Sequence, residues 1–235
     1  MSLNKSILFS CKSRISILKT VLIGETAVGK SSIINRFTKN TFEESFMPTL
    51  TGVCVSKEII YEKINKTIRF EIWDTAGQEI YRSLTKLYYK DASIVIFVYD
   101  ITRKDTFEEI RDYWCNEVIN NCPKDVIFAV VGNKNDLYEL EEVNIDYVIE
   151  FCQQINAFHN KTSAKTGSGI EEMFFNIGLK FLGLENNNIL SKSYQHVLIN
   201  KFNINEQINE KDSEKDETTS KLSYNNIADN KSCCS

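Results

Sequence analysis

The sequence is poor in several features, and each shortage narrows what the chain can be. No stretch of eighteen apolar residues occurs, which argues against a membrane-spanning helix. Basic residues are not in excess: Lys and Arg number 28 against 32 Asp and Glu, a net charge of −4. The electrostatic footprint of a general nucleic-acid binder is therefore missing. Near the N-terminus only Ile7, Leu8 and Phe9 form an apolar cluster, too short for the core of a secretory signal. The 7 cysteines are odd in number, and most are scattered among apolar or helical stretches. That suits free thiols in a reducing compartment better than a disulfide framework. Internal repeats are absent, and only Pro48 and Pro123 interrupt the chain.

What remains is ordinary globular material. The 235 residues are 42% hydrophobic and 26% charged, enough for one large domain that needs no disulfide or metal staple. Strand candidates are Ile15–Ile23, Val53–Tyr61, Thr67–Trp73, Ile94–Tyr99, Val126–Val131 and Ala157–Thr162. Four are compact apolar runs of the kind buried on both faces of a parallel sheet. Thr67–Trp73 instead alternates apolar and polar residues, and with Val53–Tyr61 across a turn near Lys63–Lys66 it predicts an antiparallel edge hairpin. Helix candidates are Lys30–Thr38, Gln78–Tyr89, Thr106–Asn121, Ile145–Asn156 and Ile170–Leu182, with Asp105 and Asn144 as expected N-caps. This alternation predicts an α/β fold: a doubly wound, mostly parallel sheet whose ligands sit at the carboxyl ends of its strands. Beyond residue 184 Asn, Lys, Glu, Asp and Ser dominate, so residues 185–235 are expected to be a disordered tail. Residues 1–13 are expected to be flexible, leaving 14–184 as the folded domain.

Gly24-Glu25-Thr26-Ala27-Val28-Gly29-Lys30-Ser31 fits G-x-x-x-x-G-K-[ST] between a strand and a helix, the context that this phosphate-binding motif requires. Its glycines let the backbone curl so that successive N–H groups face one anion, and the helix N-terminus adds its positive dipole end. Lys30 supplies a point charge for β- and γ-phosphates, and the Ser31 hydroxyl can ligate Mg²⁺. The loop alone chooses neither ATP nor GTP.

Asp74-Thr75-Ala76-Gly77-Gln78 follows the third strand candidate. A carboxylate there can hold Mg²⁺, directly or through water. Gly77 can bring its N–H against a γ-phosphate, and Gln78 carries both the donor and the acceptor needed to orient an attacking water. Asn133-Lys134-Asn135-Asp136 follows the fifth strand candidate. The two acceptor oxygens of Asp136 match the adjacent N1–H and N2–H₂ donors of guanine, a pair that adenine lacks. Thr162-Ser163-Ala164-Lys165 follows the sixth, where the Ala164 N–H is placed to reach guanine O6.

The order of these elements resembles the Ras superfamily of small GTPases and, within it, the Rab family, somewhat more its endosomal members. Arg69-Phe70-Glu71-Ile72-Trp73-Asp74-Thr75-Ala76-Gly77-Gln78-Glu79, Tyr88-Tyr89, Val98-Tyr99-Asp100-Ile101-Thr102 and the terminal Cys233-Cys234 carry the likeness, together with the phosphate loop. It covers residues 15–184 and implies a six-stranded P-loop GTPase fold with one antiparallel edge strand, Mg²⁺ as cofactor, and slow GTP hydrolysis. It also implies vesicular trafficking on an intracellular, endosomal membrane. By this resemblance Ser32 joins the phosphate-binding set, Thr49 is the switch threonine on Mg²⁺ and the γ-phosphate, and Phe42 packs against the guanine. Lys134, Ser163 and Lys165 belong to the guanine site. An exchange factor, a GTPase-activating protein, a GDP-dissociation inhibitor and effectors are the implied partners of a monomer. The sequence departs from Rab proteins at four places: an extra residue between Thr49 and Gly52, which makes Thr51 a rival for the metal role; Cys54 or Val55 where an aromatic is common; Ile80 for an arginine; and Lys161 for an acid.

The chain closes on Cys233-Cys234-Ser235, two thiols at a polar end with no C-a-a-X spacing. Two lipid chains are what stable anchoring requires, so both cysteines are expected lipidation sites of the Rab type. The expected function is a membrane-anchored GTPase switch. Its alternative is a GTP-binding docking module with negligible hydrolysis.

Overall fold

Six strands form one sheet in the order β2-β3-β1-β4-β5-β6, in a computed structural model that describes residues 14–44, 49, 52–75 and 82–184. The strands are β1 (Arg14–Ile23), β2 (Val53–Tyr61), β3 (Lys66–Asp74), β4 (Ile94–Asp100), β5 (Ile127–Asn133) and β6 (Phe158–Lys161). All neighbouring pairs are parallel except β2–β3, the edge hairpin that the alternation predicts. Its register runs from Val53 opposite Asp74 to Tyr61 opposite Lys66. A 3₁₀ turn at Glu62–Ile64 closes it, with Asn65 left-handed at φ 49°, a conformation that asparagine tolerates. The chain divides into Met1–Glu185 and Asn186–Ser235, and only the first unit contains described residues. The expected flexible N-terminus, the tail and both terminal cysteines therefore lie outside them.

The helices are α1 (Lys30–Lys39), α2 (Arg82–Tyr89), α3, α4 (Ile145–Gln154) and α5 (Ile170–Phe181). In α3 the segments Lys104–Glu109 and Cys115–Ile119 are joined by a π-helical turn at Ile110–Trp114. Its start corrects an expectation. Asp105 is not the N-cap, because Thr106 Oγ1 donates to the Arg103 carbonyl at 2.6 Å and fixes the turn two residues earlier. Arg103 becomes the N-cap and Asp105 falls in the first turn, where its charge still complements the helix dipole. Asn144 caps as expected, accepting the Asp146 N–H at 2.8 Å. For α2, the expected start at Gln78 lies outside the described residues.

Packing follows the two-sided pattern. On one face Val21, Ile23, Val95, Phe97 and Tyr99 meet Phe107, Ile110, Val118, Val148 and Phe151 in a single buried cluster. On the other, Phe37 of α1 stacks on Phe174 of α5 at 3.7 Å, and Phe70 of β3 meets both rings edge-on. Every residue of β4 is buried, as a central strand covered on both sides should be. The first half of β1 is different: Ile15 and Ile17 are about half exposed, while the buried cluster on that face takes in Val21 and Ile23 but neither Ile15 nor Ile17. In β3, Ile68, Phe70 and Ile72 are buried, while Arg69 pairs with Glu58 at 2.7 Å on the wet face. The parallel strands all deliver their carboxyl ends to one edge of the sheet, and the motif residues gather there.

Candidate nucleotide site

The loop after β1 is shaped by two close approaches. A Cβ on Gly24 would lie 2.1 Å from the Val98 carbonyl oxygen, so only glycine lets the loop cross β4. Gly29 has φ +96°, left-handed backbone that favours glycine. Ala27 is also left-handed, at φ 64°, an unfavourable place for a side chain. No side chain caps α1, so its first N–H groups remain available to an anion. Lys30, at the first position of that helix, is buried, and its Nζ donates to the carbonyls of Gly24 (2.8 Å) and Glu25 (2.9 Å). Burial lowers its pKa to about 8, opposed by the charges of Asp74 and Glu25.

Beside Lys30 three oxygen ligands converge. Ser31 Oγ and Thr49 Oγ1 are hydrogen-bonded at 2.9 Å, and Thr49 Oγ1 donates to Asp74 Oδ2 at 3.2 Å. The other carboxylate oxygen, Oδ1, is buried and has no hydrogen-bond partner among the described residues. Burial raises the pKa of Asp74, against the lowering effects of Ser31, Lys30 and Thr49. An all-oxygen set with one unsatisfied buried carboxylate oxygen fits a hard divalent cation such as Mg²⁺. No group of three His, Cys, Asp or Glu suited to a metal exists among the described residues, so hydroxyls are needed to complete the set. Thr75 Oγ1 donates to the Leu22 carbonyl at 2.6 Å and ties the end of β3 to β1. Thr51, Gly77 and Gln78 lie outside the described residues.

The far end is built around Asn133, which is 1% exposed. Its Nδ2 donates to the Val28 carbonyl at 2.9 Å, while its Oδ1 accepts from Ala164 N–H at 3.2 Å and Thr162 Oγ1 at 3.3 Å. One side chain thus joins the phosphate loop to the last motif. Lys134 is left-handed at φ 67°, and its Nζ lies 2.6 Å from Oδ2 of buried Asp100. Ser163 Oγ donates to Asp136 Oδ1 at 2.5 Å, which fixes the carboxylate plane and leaves Oδ2 and the second lone pair of Oδ1 for two further donors.

These elements enclose a cleft of about 520 Å³. Thr26, Ala27, Gly29, Lys30, Ser31, Ser32, Phe42, Thr49, Asn133, Lys134, Asp136, Ala164 and Lys165 line it. Gly24, Glu25, Val28, Asp74 and Ser163 stand behind this lining and hold it through the bonds described above. Four lining residues escape sequence reasoning: Glu43, Glu44, Thr75 and Leu137. Glu43 and Leu137 neighbour Phe42 and Asp136, Glu44 lies two positions from Phe42, and Thr75 sits inside the Asp74–Gln78 motif without a role of its own, so nearness in sequence was the only available signal. Glu44 reaches across to Lys165 at 3.2 Å.

A model of the Ras family matches residues 19–182. Human Ras-related protein Rab-22A is 38% identical over 160 residues, covering 68% of this chain and 81% of that protein. Rat Ras-related protein Rab-31 is 38% identical over 157 residues, 67% and 79% of the two chains. GTP-binding protein YPT52 of Saccharomyces cerevisiae is 34% identical over 206 residues, 76% and 88% respectively. The chain belongs to the Ras family as a Rab small GTPase.

As a Rab GTPase it is a GTP hydrolase, and the geometry sharpens two of its departures from other Rab proteins. Cys54 stands opposite Trp73 in the β2–β3 register, while Val55 stands opposite buried Ile72. Exposed Cys54 is therefore the residue that shares the Trp73 face, where Trp73 and Tyr88 meet at 5.5 Å. Lys161 makes a two-pronged ion pair with Glu141, at 2.6 and 2.7 Å. This ties β6 to the residue after the 3₁₀ segment Asn135–Leu140 that carries Asp136.

Proposed function

We propose that this cleft binds GTP and GDP with Mg²⁺, and that the Rab GTPase uses the resulting switch in vesicular trafficking on an endosomal membrane. One observation carries the reading: a single cleft holds a buried lysine and paired hydroxyls at one end and an oriented carboxylate at the other. Lys30 and the N–H groups of the loop and α1 bind the phosphates. Ser31 and Thr49 hold the cation directly and Asp74 holds it through water; when bound, it neutralises charge on the β- and γ-phosphate oxygens. Thr49 takes this role over Thr51 because its hydroxyl lies between Ser31 and Asp74. Asp136 accepts the two guanine donors, Phe42 packs on the base, and Gln78 orients the attacking water while Gly77 meets the γ-phosphate. Asn133, Lys134, Ser163, Ala164 and Lys165 complete the guanine end.

No described helix is long and apolar enough to cross a membrane, and lipid on Cys233 and Cys234 supplies the anchor. Exchange factor, activating protein, GDP-dissociation inhibitor and effectors follow from the family. Competition binding of GTP against XTP tests the base assignment. Asp136→Asn replaces one acceptor by a donor, and xanthine replaces the amino donor by a carbonyl. The parent should prefer GTP and the variant XTP; an unchanged preference removes Asp136 from the guanine site.

A further inference from the structure

Arg36, in the last turn of α1, has no place in the site as described so far, yet its guanidinium is fully committed to the site's far wall. Nε donates to the Ala164 carbonyl at 2.9 Å and Nη2 to the Lys165 carbonyl at 2.7 Å. Nη1 donates to the carbonyl and Oδ1 of Asn40, at 3.1 and 3.2 Å. One planar cation thus grips two consecutive carbonyls of a turn belonging to the guanine end, while its third nitrogen is braced by the left-handed residue that ends α1. The rest of the turn is held locally. The Ser163 carbonyl accepts from Gly167 N–H at 2.8 Å, and Ser163 Oγ accepts from Thr166 N–H at 3.1 Å. Nothing else among the described hydrogen bonds reaches the Ala164 and Lys165 carbonyls.

We propose that Arg36 is a positioning residue for base recognition: its guanidinium sets the turn so that the Ala164 N–H, which donates to Asn133 Oδ1 at a long 3.2 Å, is shared with guanine O6 when the base is bound. The turn is then tied to the phosphate end twice, through Asn133 to Val28 and through Arg36 to α1. The device needs arginine, because a fixed fork of donors can serve two acceptors where an ammonium is a point charge. The proposal rests on the reading of Ala164 as the O6 donor, and its test separates the two claims.

Dissociation rates of GDP, IDP and 6-thio-GDP are measured at fixed Mg²⁺ from the full-length parent, Arg36→Lys and Arg36→Ala. 6-Thio-GDP keeps the N1–H and 2-amino groups but presents sulfur, a weaker acceptor, at position 6; IDP keeps O6 and lacks the 2-amino group. The parent should release 6-thio-GDP faster than GDP. In Arg36→Ala, GDP release should rise about tenfold, the equivalent of ~1.4 kcal/mol. The 6-thio-GDP to GDP ratio should fall toward one, with the IDP to GDP ratio unchanged. Arg36→Lys should lie between, and it carries the same comparison if Arg36→Ala does not retain nucleotide. If the parent does not distinguish GDP from 6-thio-GDP, the O6 reading of Ala164 fails. If the parent's preference survives in the variants, or both ratios move together, Arg36 is a general brace and the proposal is overturned.

Discussion

Gly29→Ala probes the joint between the two ends of the site. Gly29 has φ +96°, and a Cβ there would lie 2.3 Å from Asn133 Nδ2. Two separate costs arise. Forcing a side chain into left-handed backbone costs roughly 1–2 kcal/mol. Pushing Nδ2 aside breaks its bond to the Val28 carbonyl and strains the contacts of Oδ1 with Ala164 and Thr162, a further ~1–3 kcal/mol at a buried polar group. The expected total is about 3–4 kcal/mol, a large share of the roughly 5–15 kcal/mol that holds a domain together. The assay is urea unfolding at one fixed concentration of GDP and Mg²⁺, since bound nucleotide adds to apparent stability. A double-mutant cycle with Asn133→Ala isolates the clash: in that background only the backbone cost should remain, giving a coupling of about 2 kcal/mol. Coupling below ~0.5 kcal/mol, or a total cost under 1 kcal/mol, would refute the reasoning.

Gln78→Leu should leave GTP binding intact and slow single-turnover hydrolysis at least about tenfold; equal rates would remove Gln78 from the reaction. Cys233→Ser with Cys234→Ser should move the protein from membrane to soluble fractions without altering GTP affinity, and a double variant as membrane-bound as its parent sinks the lipid anchor. Burial, with a smaller push from the Lys161 charge, lowers the pKa of His159 to about 4, while Tyr99 Oη lies 3.1 Å from its Nε2. The unfolded chain therefore binds more protons than the folded one between about pH 6.5 and 4, so stability should fall as pH drops through that window, by up to about 3 kcal/mol. His159→Gln should flatten this part of the stability–pH curve, and a curve of unchanged slope would show that His159 is not its source.

Most of the sheet was legible because burial on two faces writes continuous apolar runs. Ile94–Asp100 and Ile127–Asn133 were expected to within two residues, and the wet face of the hairpin was written in the alternation of Arg69 and Glu71 with Ile68, Phe70 and Ile72. The failures share a cause. Ile15 and Ile17 read as core, but whether a face is covered depends on what packs against it, which a strand's own sequence does not record. Asp105 read as a cap because it precedes Thr106, but the Thr106 hydroxyl chose the Arg103 carbonyl. In the site, residues in contiguous motifs could be named in advance. Arg36, Asp100 and Thr75 could not be given roles, since each acts through an atom far away in the chain: Arg36 on Ala164, Asp100 on Lys134, Thr75 on Leu22.

The costs of this fold are concentrated at the same edge of the sheet. Lys30 is buried with its pKa lowered to about 8, Asp74 is buried with its pKa raised and one oxygen unpartnered among the described residues, and Ala27 sits in left-handed backbone. Each arrangement opposes stability on its own, and such outliers persist only where the surrounding structure over-determines them. Here the surroundings do: Val28 beneath the loop is fully buried, Asn133 clamps the loop from β5, and β4 runs beneath Gly24. Bound as proposed, a polyanion and a divalent cation would oppose both pKa effects, since each supplies the opposite charge that a desolvated group lacks. Ligand binding and folding would then be coupled, with apparent stability rising with nucleotide concentration. Lys30→Met should uncouple them. It removes the buried charge without leaving a large cavity, so the ligand-free domain should resist urea at least as well as the parent, while added GTP should no longer raise the unfolding midpoint. If the parent's midpoint is itself insensitive to GTP, the charges at this edge are structural and the coupling argument fails.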